Sequence, residues 1–135
     1  QITKDMVRKW KEQVSYVGGD VREATVELSV EGKKQVVDIG DLVAQACEMI
    51  VPKIGNAIKR IVAGADPEYQ PVLRNNIILS GGGSLIDGIA ARMTDEISDI
   101  GDVTVWCVED PINAVANGAL QLAGEMPDDM YTAIN

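Results

Sequence analysis

Three successive glycines, Gly81 to Gly83, are the residues of this chain best suited to bind a ligand. The apolar segment Asn76–Leu79 precedes them, and a helix-like apolar pattern follows from Ser84. A buried strand that leads through a glycine-rich turn into a helix brings backbone N–H groups close to an anionic or nucleotide ligand. The spacing matches neither the dinucleotide fingerprint nor the P-loop pattern. A tight turn that needs glycine only for its backbone geometry is therefore the alternative.

Two further motifs are candidates. Lys11 and Glu12 lie on the first predicted helix, where adjacent opposite charges ordinarily form a solvated face. They become site candidates only if the fold brings that helix beside the glycines. Asp110-Pro111, with Gly118 downstream, indicates either a hinge or an ordinary helix start with Asp as N-cap and Pro in the first turn.

The composition excludes several classes of function. The chain of 135 residues has no histidine, so a hydroxyl–histidine or thiol–histidine nucleophile pair is excluded. Its two cysteines, Cys47 and Cys107, are far apart, which argues against a zinc site and indicates buried thiols of a cytoplasmic protein. No metal ligands are predicted from the scattered acids. A net charge of −9 disfavours nucleic acid and anionic membranes as partners.

The apolar periodicity predicts four helices and four strands. The helices are expected over Thr3–Val17, Leu42–Ala63, Ser84–Ser98 and Ile112–Ala123, and the strands over Ala24–Val30, Gln35–Ile39, Asn76–Leu79 and Val103–Val108. Pro52 should kink or divide the second helix. The first two strands form a hairpin in a small lobe, and the last four elements form a βαβα unit with parallel strands.

The predicted class is thus α/β with a single domain or part of one. Two parallel strands alone make a poor sheet, so we expect further strands to come from elsewhere. The chain starts at Gln1 rather than Met, and we expect it to be part of a longer polypeptide. No membrane-spanning segment or signal peptide is expected.

Three segments resemble motifs of the actin superfamily, in the same order along the chain. Val7–Val17 resembles the helix that lies over the adenosine of actin, and Asn75–Met93 resembles the adenosine motif. Glu109–Ala119 is similar to the second connecting motif of the bacterial actins. Within the bacterial actins, Leu73–Leu79 and Val108–Pro111 favour the magnetosome-filament type, with the cell-shape type second.

The resemblance implies a fold and a cellular role. The chain would be the C-terminal half of an actin-like, ribonuclease H-like ATPase fold. Residues 1–23 and 64–135 would form the large nucleotide-side subdomain, and residues 24–63 a small α+β outer subdomain. The parent protein would be cytoplasmic and filament-forming, would bind ATP or ADP with Mg²⁺, and would associate with itself, with actin-like filaments or with magnetosome proteins.

The resemblance also implies site residues. Lys11 and Glu12 would approach the ribose and adenine, and Gly81, Gly82 and Gly83 would run past the sugar and phosphates. Ser84, Leu85 and Ile86 would line the adenine side. No catalytic or metal-binding residues are implied in this half, because the phosphate-binding hairpins of the family are absent from it. The chain alone should therefore lack ATPase activity.

Two functions stay open from the sequence. The first is the nucleotide-binding half of an actin-like ATPase. The second is a stand-alone truncated actin-like domain that acts as a non-enzymatic interaction module, fused or not to an unrelated domain.

Overall fold

A computed structural model describes residues 2–127 and 130 and shows six α-helices and four strands in that part of the chain. The order is α1 Lys4–Val14, β1 Thr25–Val30, β2 Lys33–Asp38, α2 Gly40–Glu48, α3 Val51–Ala63, α4 Gln70–Arg74, β3 Ile77–Leu79, α5 Ile89–Glu96, β4 Val105–Cys107 and α6 Ala114–Glu125. Short 3₁₀ turns cover Gly82–Leu85 and Ser98–Ile100. Residues 1, 128–129 and 131–135 of the predicted large subdomain lie outside the described residues.

The principal core lies between α5, the β3–β4 sheet and the helices α2 and α3. Its most buried side chains are Met93, Ile97 and Val51, each with a relative exposure of 0%. Cys47 and Val105 complete this cluster from α2 and β4. Strands β3 and β4 are parallel, with Ile77 opposite Val105, and α5 contacts β4. The predicted parallel βαβ arrangement is therefore present, with an aliphatic core.

The hairpin β1–β2 has a cluster of its own. Glu31 and Gly32 form its two-residue turn with φ of 51° and 78°, the positive pair that a type I′ turn requires. Ala24, Val26 and Ile39 are buried beneath it. Helices α2 and α3, which belong to the predicted outer subdomain, also pack into the principal core. The subdomain boundaries at residues 23 and 63 stay a prediction.

The helix predictions were right in type and partly wrong in extent. Thr3 caps α1 by accepting a hydrogen bond from the Met6 N–H at 3.3 Å, but α1 ends at Val14. The long helix is divided as expected, with Pro52 in the first turn of α3. Helix α4 lies in the segment 64–74, where the sequence predicted only a polar connection.

The helix predicted over Ser84–Ser98 is wrong at its start. A 3₁₀ turn ends at Leu85, Gly88 is left-handed with φ of 79°, and α5 begins only at Ile89. The physical reason is long-range: the backbone of Asp87 pairs with residues 15–17, so the chain is extended where it would otherwise be helical.

The last helix also starts later than predicted. Asp110 does not cap it; its carboxylate accepts hydrogen bonds from the backbone and side-chain N–H groups of Asn113 and closes a separate turn. Helix α6 begins at Ala114. The predicted N-cap role of Asp110 is therefore wrong, since its carboxylate closes the turn that precedes the helix.

Asp38 joins the hairpin to α2, and this contact predicts a pH dependence. Its Oδ1 accepts hydrogen bonds from the N–H groups of Ala24 and Gly40, both at 2.9 Å, and they hold the pKa of Asp38 below its ordinary value. The resulting stabilisation is fully present above the unfolded-state pKa of about 3.9. It is lost as the pH falls through the lower folded-state pKa. In Asp38→Asn the free energy of unfolding should fall less steeply on acidification, measured by urea unfolding between about pH 7 and pH 2. Equal acid slopes in the two proteins would contradict this role.

Candidate functional site

The glycine triplet leaves the end of β3 as a turn fixed by hydrogen bonds. Gly81 has φ of 82° and ψ of 172°, a conformation that is essentially restricted to glycine. Its N–H donates to the Pro111 carbonyl at 2.7 Å. Its carbonyl accepts from both the N–H and the hydroxyl of Ser84, at 3.0 and 2.8 Å. The turn is thus anchored to the segment before α6 and closed on itself.

Gly82 and Gly83 have no such structural explanation. Their φ angles lie outside the left-handed region, and a Cβ atom on either would meet nothing within 4 Å. Both residues are exposed and stand at the start of the 3₁₀ turn, where N–H groups lack an acceptor within the turn. Neither backbone geometry nor packing in the described chain calls for glycine here. The backbone at both positions is open to close approach from outside the described chain.

The C-terminal end of α1 is tied to the residue that follows this turn. The Val17 N–H donates to the Asp87 carbonyl at 2.9 Å, and the Asp87 N–H donates to the Ser15 carbonyl at 3.2 Å. Gly88 permits the contact, since a Cβ atom there would lie 2.5 Å from the Val17 carbonyl oxygen. The fold therefore holds the end of α1 against the segment that carries the glycine turn.

An ion pair joins the same two segments through their side chains. The Arg22 guanidinium pairs with the Asp87 carboxylate and holds the pKa of Asp87 below its ordinary value, through the hydrogen bond first and the charge second. Arg22 is itself anchored on Tyr16, because its N–H donates to the Tyr16 hydroxyl at 2.8 Å. Spacing alone did not identify this pair, since the partners are 65 residues apart.

The structure brings the predicted site residues together only in part. Lys11 and Glu12 are exposed in the last turn of α1. Lys11 lines an apolar cavity of about 750 Å³ between α1, the hairpin and α2, and residues 81–86 do not line that cavity. The connection between α1 and the glycine turn runs instead through residues 15–17 and Asp87.

The three residues after the glycines have different environments. Leu85 is exposed, whereas Ile86 is 9% exposed and packs in the principal core. The Ser84 carbonyl accepts a weak hydrogen bond from the Cys107 thiol at 3.6 Å. Their predicted place on the adenine side stays a prediction. The Cys107 thiol and the Pro111 carbonyl both form hydrogen bonds to this turn, a role that the sequence did not assign to either residue.

Within residues 2–127 and 130, no three His, Cys, Asp or Glu side chains form a group that could hold a metal ion. None of the helices in this part combines the length and apolar character needed to cross a membrane.

Comparison with known proteins identifies the family. The family model described as MreB/Mbl protein matches residues 1–130. The chain belongs to the MreB/Mbl family of actin-like proteins. It is 40% identical over 131 residues to the actin-like protein MamK of Magnetospirillum gryphiswaldense and 39% identical over 121 residues to that of Paramagnetospirillum magneticum. These alignments cover 97% and 90% of this chain.

Solved structures agree with this membership. A MamK double helical filament superposes with a TM-score of 0.88 at 37% identity over 94% of this chain and 39% of the other. A non-polymerising MamK mutant bound to AMPPNP gives a TM-score of 0.84 at 36% identity, over 92% of this chain and 38% of the other. The actin-like α/β fold is confirmed. The chain spans 36% and 35% of the lengths of the two MamK relatives.

The different roles of neighbouring glycines predict different effects of the same substitution. Gly81→Ala should lower the free energy of unfolding by about 1–3 kcal/mol, because alanine strains the positive φ of that residue. Gly83→Ala should change it by less than about 0.5 kcal/mol, since its Cβ atom enters open space. Urea unfolding of both variants checks this. Equal losses of stability would show that Gly83 too is required by the fold.

Proposed function

We propose that this chain supplies the adenosine-side wall of the nucleotide cleft in an ATP-binding, filament-forming actin-like protein. The proposal is carried by the open space beside the exposed residues Gly82 and Gly83. Neither the backbone conformation nor the packing of the described residues requires glycine at these two positions. Support comes from the solved MamK neighbour that binds AMPPNP. In this arrangement Gly81 to Gly83 run past the sugar and phosphates.

The remaining predicted residues have roles on either side of the glycines. Lys11 and Glu12, near the anchored end of α1, approach the ribose and adenine. Ser84 and Leu85 line the adenine side, and Ile86 reaches that side from the core. Each group in this set binds or orients, and none is placed to activate a nucleophile. The chain alone is therefore proposed to be inactive as an ATPase, with Mg²⁺ held by other parts of the parent protein.

The cellular role follows from the relatives. The relatives include MamK of Magnetospirillum gryphiswaldense and a solved MamK double helical filament. We propose that the parent of this chain associates with itself into actin-like filaments in the cytoplasm and that it organises magnetosomes.

A carboxylate placed at Gly82 tests the nucleotide site. In the gene product that contains this chain, Gly82→Asp should weaken ATP binding at least about 100-fold, because the new charge lies where the phosphates would pass. Its free energy of unfolding should change little, since the added side chain meets no protein atom. Isothermal titration calorimetry measures the affinity.

The matched control is Gly124→Asp, which adds the same charge at another open position, near the end of α6. It should bind ATP as the parent does. Unchanged affinity in Gly82→Asp, or an equal loss in both variants, would rule out the proposed site.

A further inference from the structure

Asp87 has three links to the segment that follows α1. Its carbonyl accepts from the Val17 N–H and its own N–H donates to the Ser15 carbonyl. Its carboxylate pairs with Arg22. Two of these links are backbone hydrogen bonds that any residue at position 87 can make. Only the third depends on the Asp87 side chain.

Arg22 is the anchored partner of the pair. The centre of its guanidinium lies 4.8 Å from the centroid of the Tyr16 ring, and its N–H donates to the Tyr16 hydroxyl. Tyr16 is 3% exposed, and its hydroxyl donates to the Gly40 carbonyl at 3.3 Å. The guanidinium is therefore held against a buried residue that also contacts the start of α2, whereas Asp87 stands on an exposed turn.

The segment from Gly81 to Asp87 is held at both ends. Gly81 is bonded to Pro111, and Asp87 is bonded to the segment after α1. Gly82 and Gly83 lie between these two fixed points and, among the described residues, have no neighbour at their open side. Ile86, next to Asp87, packs in the principal core, so the position of the glycines relative to α1 depends on the contacts of residues 86 and 87.

We propose that the Arg22–Asp87 ion pair is a positioning device that sets the spacing between α1 and the glycine turn, and so the fit of a purine nucleoside triphosphate between them. This inference rests on the proposed function. Arg22 and Asp87 are positioning residues and do not themselves contact the nucleotide. The pair is half exposed, with side-chain exposures of 54% and 65%, so its effect is modest and salt-dependent.

The test is an ATP titration of the gene product that contains this chain, followed by the NMR amide shifts of Gly82 and Gly83. Asp87→Asn and Arg22→Gln should each raise the Kd about two- to fivefold. The double variant should be no weaker than either single variant, because the same interaction is removed. The exchanged pair, Arg22→Asp with Asp87→Arg, should restore the affinity for ATP to within about twofold of the original. At about 1 M salt, the loss of affinity in the single variants should become smaller.

The control is Asp99→Asn, which removes the 2.6 Å ion pair between Lys59 on α3 and Asp99 in the 3₁₀ turn Ser98–Ile100. It should leave the Kd unchanged, even where urea unfolding shows a stability loss equal to that of Asp87→Asn. Three results would each overturn the inference while the proposed function stands. They are an unchanged Kd in Asp87→Asn, additive losses of affinity in the double variant, and a loss of affinity in Asp99→Asn equal to that in Asp87→Asn. Absence of any ATP-dependent shift at Gly82 and Gly83 in the unmodified gene product overturns both.

Discussion

The parallel pairing of residues 15–17 with Asp87 is the contact on which the site depends. It joins the end of α1 to the segment between the glycine turn and α5, across 70 residues of chain. Without it, Ser84 to Gly88 would be free to continue as helix, and the glycines would precede an ordinary helix N-terminus. With it, the chain turns through a 3₁₀ segment and presents Gly82 and Gly83 at an open surface. Fold and candidate site therefore share one set of backbone hydrogen bonds.

Three consecutive glycines serve two separate purposes in this turn. Gly81 is required by its backbone conformation, and a larger residue there would strain the fold. Gly82 and Gly83 are not required by conformation or contact within the described chain. The two interpretations that the sequence left open, a structural turn and a ligand cradle, thus apply to different residues of the same motif.

Local chemistry in the sequence predicted much of the fold. The hairpin β1–β2 and the division of the long helix near Pro52 both depend on residues that are neighbours in the chain. The errors occur where distant residues decide. Helix α5 starts late because Asp87 pairs with residues 15–17, which are far away along the chain. The candidate site residues were predicted from the family resemblance. The Arg22–Asp87 pair could not be predicted, since its two residues meet only in the folded chain.

Photolabelling with 8-azido-ATP tests most directly whether this surface holds the adenosine. Trypsin releases Asn75–Arg92, which contains the whole glycine turn and Asp87, as one peptide. We expect the label, located by mass spectrometry on the parent protein, to lie in this peptide and to disappear with excess ATP. A label confined to other peptides, or one that excess ATP does not displace, would contradict it.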